Sequence, residues 1–79
     1  MIGKYLSSAT TLNNDEIEEV KKSVLLYLQE HDFITNRALR NLSGVTYDQA
    51  IFFFKQMMSH GILKRVGITT NIRYVIGGQ

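Results

Sequence analysis

Four residues in the middle of the chain, Ser43-Gly44-Val45-Thr46, constrain the fold more than any other stretch. Gly44 can take the left-handed conformation that closes a helix, and Thr46 can cap the next one. Gln49, three residues after Thr46, completes a capping box, and Val45 is placed to pack on Ala50. One helix therefore ends and another begins almost at once, and so tight a turn holds the two at a steep angle, as in a helix-turn-helix. The earlier helix passes through Ala38, Leu39 and Leu42 from a cap at Thr35, with Ile34 and Leu39 as its staple. The later one runs to His60 and closes at Gly61.

Upstream, Leu12-Asn13-Asn14-Asp15-Glu16-Ile17 is another helix start. Asn13 caps, Glu16 sits at the capping-box position, and Leu12 can staple to Ile17. Ile17, Val20, Val24 and Leu28 recur at helical spacing, which predicts a first helix over roughly 14–31. Phe33-Ile34 reads as a brief extended link. After Gly61 the character changes to β-branched and aromatic runs, Ile62–Val66 and Arg73–Ile76, joined by Gly67-Ile68-Thr69-Thr70-Asn71-Ile72. That is a β-hairpin, and Phe33-Ile34 supplies a third strand to pair with it. The expected class is α+β, a winged helix-turn-helix of three helices with a small antiparallel sheet in the order α-β-α-α-β-β. Residues 1–11, rich in Ser and Thr, read as a flexible N-terminal arm, and residues 12–77 as the winged-helix domain.

At 79 residues there is room for one core and no second one. Domains this small often need staples, yet the chain has no cysteine, and its two histidines lie far apart. Neither a disulfide framework nor a metal site is expected. No apolar run approaches the ~18 residues of a membrane span, and no signal peptide is visible, so the expected setting is soluble and cytoplasmic, without a membrane. The net charge of +2 hides an asymmetry. Asp15, Glu16, Glu18, Glu19, Glu30 and Asp32 crowd the first helix against Lys21 and Lys22. Arg37, Arg40, Lys55, Lys64, Arg65 and Arg73 dominate the remainder against Asp48. One acidic and one basic face follow, and the basic one suits a polyanionic partner, while a merely solvated surface is the bland alternative.

The stretch Ile34-Thr35-Asn36, Leu42 to Thr46, Ala50, Gly61 to Gly67 and Arg73 to Ile76 resembles bacterial winged-helix DNA-binding domains. The likeness is to those at the C-termini of Fic-domain proteins and helicase-like transcriptional regulators. It covers about residues 33–76, and its tightest part is Gly61 to Gly67. The resemblance implies double-stranded DNA binding in a transcriptional or mobile-element regulator, with the third helix in the major groove and the wing on the backbone. Thr46 matches the usual opening of the recognition helix. Tyr47 and Phe52 stand where such helices commonly carry arginine, and Phe53 where a polar or acidic residue is usual. That departure removes two expected phosphate or base contacts.

On a helical wheel, Ala50, Phe54 and Met57 share a core stripe flanked by Phe53 and Met58. Asp48, Gln49, Phe52, Lys55, Gln56 and Ser59 then fall outward, with Phe52 almost opposite the core. Gln49 and Gln56 can read adenine edges, and Thr46, Tyr47 and Lys55 belong to the same candidate face. Phe52 has three readings: a thymine-methyl contact, a homodimer or protein-partner interface, or a residue covered by the arm through Ile2, Tyr5 and Leu6. Arg37 and Arg40 on the short second helix can hold phosphates. Lys64, Arg65 and Arg73 flank the wing, whose tip is Thr69, Thr70 and Asn71; being uncharged, that tip is expected to position rather than read. No nucleophile–base pair and no glycine-rich phosphate loop is present, so a binding module without cofactor or metal is expected, not an enzyme. A protein-interaction or dimerisation module using the aromatic third-helix face is the alternative.

Overall fold

The computed structural model describes residues 9–77. Three helices precede one hairpin: α1 (Asn14–Tyr27), α2 (Asn36–Ser43), α3 (Tyr47–Ser59), β1 (Leu63–Val66) and β2 (Arg73–Ile76). Each helix starts where its cap chemistry dictates. The Asn13 side chain accepts from the Glu16 amide at 2.8 Å while Glu16 accepts from the Asn13 amide at 2.8 Å. Thr35 accepts from the Ala38 amide at 3.1 Å. Thr46 and Gln49 form the second reciprocal box, at 3.1 and 3.0 Å. Such boxes satisfy amides that have no partner inside the helix, typically stabilising by about 1 kcal/mol per cap.

The helix ends are equally local. Gly44 closes α2 at φ 77°, and Gly61 follows α3 at φ 73°. There the Ile62 amide reaches back to the Met57 carbonyl and the Gly61 amide to the Met58 carbonyl, which gives a Schellman closure. The first helix stops earlier than its periodicity suggests. It ends at Tyr27, and residues 28–30 continue as a tighter turn, with Gln29 bonded to Leu26 and Glu30 to Tyr27. No glycine stops this helix cleanly, so it winds into i→i+3 bonds before Asp32.

The hairpin pairs Leu63 with Ile76, Lys64 with Val75, Arg65 with Tyr74 and Val66 with Arg73. The expected third strand shrinks to a single antiparallel bridge, in which Ile34 and Tyr74 exchange both backbone hydrogen bonds at 2.8 and 2.9 Å. Phe33 does not join it and stays exposed. The α+β architecture is therefore as expected, and its element order, with Ile34 standing for the lost strand, fits a winged helix. The core gathers Val20 and Val24 of α1, Ile34, Leu39 of α2, Val45, Leu63, and Ala50, Phe53, Phe54 and Met57 of α3. Phe54 lies flat against Tyr74 at 3.7 Å between ring centroids and meets Phe53 edge-on at 5.8 Å. The helix α3 is thus the central beam, and β2 is fastened to it by one aromatic stack.

Residues 1–8 lie outside the described residues, and with them Ile2, Tyr5 and Leu6. The stretch that follows is tied down: Leu12 is buried, and the Thr11 carbonyl accepts from the Gln49 side-chain amide. Among the described residues no helix is long and apolar enough to cross a membrane.

Candidate nucleic-acid interface

The positions 47, 51, 55 and 58 of α3 lie on one face by helical geometry. In the structure that face, Tyr47, Ile51, Lys55 and Met58, forms one wall of a groove of about 450 Å³. The second wall is the start of α2, with Thr35, Asn36, Arg37 and Arg40; the third is the hairpin, with Arg65, Thr70, Ile72 and Tyr74. Four cations from three elements, Arg37, Arg40, Lys55 and Arg65, thus converge on one concavity. All four are exposed, and among the described residues none is paired with a carboxylate. Packing like charges together without counter-charges is unfavourable in the free protein and favourable toward an anion.

One of the four, Arg40, is pre-oriented. The Arg40 Nε donates to the Asn36 side-chain oxygen at 2.7 Å, and its guanidinium lies 5.6 Å from the Tyr47 ring centroid. Asn36 also donates to the Tyr47 backbone carbonyl at 3.3 Å, so a single amide links α2, α3 and the arginine. Tyr74 presents its hydroxyl in the neighbourhood of Arg65 and Tyr47. Burial pushes its pKa above the ordinary tyrosine value, Arg65 pulls the other way, and Tyr47 adds to the rise. The hydroxyl therefore remains protonated at neutral pH and can donate to a phosphate oxygen.

Sequence reasoning missed Asn36, Ile51, Met58 and Tyr74. The spacing of Asn36 four residues before Arg40 was the available signal for the first. The repeat 47/51/55/58 was the signal for the next two. Tyr74 carried none, because its place depends on a partner forty residues away.

Several expected members of the site lie elsewhere. Gln49 is only 1% exposed: its oxygen accepts from the Thr46 amide and its nitrogen donates to Thr11, so it cannot read a base edge. The core stripe is centred nearer Phe53 than apolar residues alone suggest, because a capping glutamine is drawn inside with it. Gln56 turns toward α1, in a cleft with Asn14, Ile17, Lys21 and Ile62. Phe52 is not opposite the core but half-buried against it, with Thr10 and Thr11 alongside. Phe53 and Phe54 are both fully buried, as expected. Thr46 has its hydroxyl oxygen occupied by the cap.

Strand alternation divides the wing cations. Arg65 shares a side of the sheet with its partner Tyr74, whereas Lys64 shares the other side with Val75, and so does Arg73 with Val66. The Arg73 guanidinium sits 4.5 Å over the exposed Phe33 ring, away from the groove. The expected single basic surface therefore holds Arg37, Arg40, Lys55 and Arg65 but not Lys64 or Arg73. At the tip Thr69, Thr70 and Asn71 are all exposed, and only Thr70 reaches the groove. Thr69 bonds its own turn at the Ile68 carbonyl. Most acidic residues lie apart on α1, where Asp15, Glu18 and Glu19 share a surface with Lys22 and Lys21 pairs with Glu18 at 3.3 Å. Asp48 is the exception, exposed in the first turn of α3 on a surface with Ile51, Phe52 and Lys55, outside the groove.

The buried position of Gln49 makes a prediction. Gln49→Ala should cost about 1–3 kcal/mol of folding stability, the usual penalty for buried polar groups left unpaired. The ligand affinity of the folded fraction should stay unchanged. Urea unfolding and a binding titration on the same sample check both halves; a selective affinity loss would return Gln49 to the interface.

Among the described residues no group of three or more His, Cys, Asp or Glu is placed to hold a metal ion. Comparison with protein-family models, with curated proteins and with solved structures finds no match to this chain.

Proposed function

We propose that the chain is a double-stranded-DNA-binding winged-helix module, with α3 in the major groove and the hairpin lying along the backbone. The observation that supports this reading most is the convergence of Arg37, Arg40, Lys55 and Arg65 around the exposed side of α3, none of them paired with an acid among the described residues. A duplex offers a negative charge every ~1.7 Å along its axis, which suits several cations spread over a groove better than a single small anion would. The protruding hairpin and the N-terminal half of α2 flank α3 where the two sugar-phosphate backbones border a major groove. The module acts by binding and not by catalysis. Its setting as part of a transcriptional or mobile-element regulator belongs to the same proposal and rests on the sequence resemblance; a cytoplasmic setting, where such a regulator meets its DNA, is proposed with it.

The test is a salt titration against random-sequence duplex DNA. With four phosphate contacts the logarithm of the association constant should fall against the logarithm of salt with a slope of about −3 to −4. Absence of binding at low salt would sink the proposal and favour a protein-interaction module instead.

A further inference from the structure

We infer that this module selects its DNA through thymine methyl groups and not through hydrogen bonds to base edges; the inference rests on the double-stranded-DNA reading above. The face that α3 turns into the groove is Tyr47, Ile51, Lys55 and Met58. It contains no asparagine, glutamine or arginine, and Lys55 is its one side chain of a type that grips a base edge, at guanine O6 and N7. The two glutamines of the helix are occupied or averted, Gln49 in the capping box and Gln56 against α1. Arg37, Arg40 and Arg65 belong to the flanking walls, where a duplex carries its phosphates, and Lys55 is a compact charge on a flexible stem that joins them as the fourth phosphate contact.

What remains at the middle of the helix is Ile51. It is half-buried, and its β-branch leaves it essentially one rotamer in a helix, so it offers a small, fixed apolar surface. Tyr47, one turn earlier and 56% exposed, extends that surface toward Arg40. Facing apolar atoms against amino, keto or ring-nitrogen groups strips those groups of water without replacement, which is unfavourable. The major groove has one apolar group among its base edges, the 5-methyl of thymine. The chemistry of this face therefore favours sites rich in thymine at the positions that Ile51 and Tyr47 reach.

The test compares two duplexes of equal length, one of alternating adenine and thymine and one in which deoxyuridine replaces every thymine. They have the same phosphates and the same hydrogen-bonding edges and differ in the methyl alone. Covering one methyl is worth about fourfold in affinity, so one or two covered methyls should make the thymine duplex about 4- to 16-fold tighter. The salt slopes should be equal. Ile51→Ala should bring the ratio toward one while keeping the salt slope, and Ile51→Gln, a good helix former that puts a polar amide where the apolar branch was, should do the same if the alanine variant folds poorly. A guanine–cytosine duplex should bind more tightly once its cytosines carry a 5-methyl group, which occupies the same place in the groove. Equal affinity for thymine and deoxyuridine duplexes, with a normal salt slope, overturns this inference and leaves the DNA reading standing. Absence of salt-dependent binding to every duplex overturns that reading itself.

Discussion

Replacing Arg40 and Arg65 together with glutamate is expected to weaken binding to random duplex DNA by at least about a hundredfold. Each arginine faces the groove without a carboxylate partner, so its whole charge is available to a phosphate. A hydrogen bond to a charged group is worth about 1.5–3 kcal/mol, and two such contacts amount to two or more orders of magnitude. The reversal adds repulsion to that loss. Relief of repulsion among the four cations offsets the lost Arg40 bond to Asn36 and the acid placed in the last turn of α2, so the variant should melt within about 5 °C of the parent. Fluorescence anisotropy on a labelled duplex reads the affinity, and circular dichroism reads the melting. The matched control is Lys64→Glu with Arg73→Glu, the same charge change on the opposite side of the sheet. If that pair proves as damaging, only overall charge matters and the groove is not the interface.

Phe54→Ala should come close to unfolding the domain. Phe54 is 1% exposed, stacks on Tyr74 and meets Phe53, so its removal deletes the contact that fastens the hairpin to α3. Truncating a buried phenylalanine costs about 3–5 kcal/mol. A domain of this length is stable by only about 4–12 kcal/mol in total. With no cysteine to form a disulfide that would share the load, the melting point should drop by about 15 °C or more. Urea denaturation followed by tyrosine fluorescence checks this. A loss under about 1 kcal/mol would mean that the stack is not what holds the hairpin down.

The sequence was most informative where structure is decided within four or five residues. Asn13, Thr35 and Thr46 all cap as their side chains suggest, and Gly44 closes its helix in the left-handed region. The hairpin too was readable, from β-branched runs around a glycine-containing loop. Legibility fell off as soon as a position depended on distant partners. Gln49 shows this well, because one residue satisfied two rules: as a capping-box member it had to fold back on Thr46, and as a polar residue on a wheel it looked solvent-facing. The local hydrogen bonds won, and the Thr11 carbonyl completed its burial. Phe33-Ile34 looked like a strand, yet of the two only Ile34 pairs, with Tyr74, since the Thr35 cap ends the link at once. The split between Arg65 and Lys64 was implicit in strand alternation, but which of them faces α3 depends on Tyr74 meeting Phe54, a contact twenty residues apart in sequence.

Tyr74 fixes the hairpin one pair below its loop, through the backbone exchange with Ile34 and the ring on Phe54, and Gly67 closes the loop where any side chain would run into the Asn71 carbonyl. Between those fastenings the tip is anchored only to itself, with Ile68 78% exposed. Chain can therefore be inserted or removed at 68–71 for a small entropic cost, about 0.6 kcal/mol for each doubling of loop length. Reach and charge at the tip are thus free to diverge among chains of this type while the scaffold beneath them stays the same.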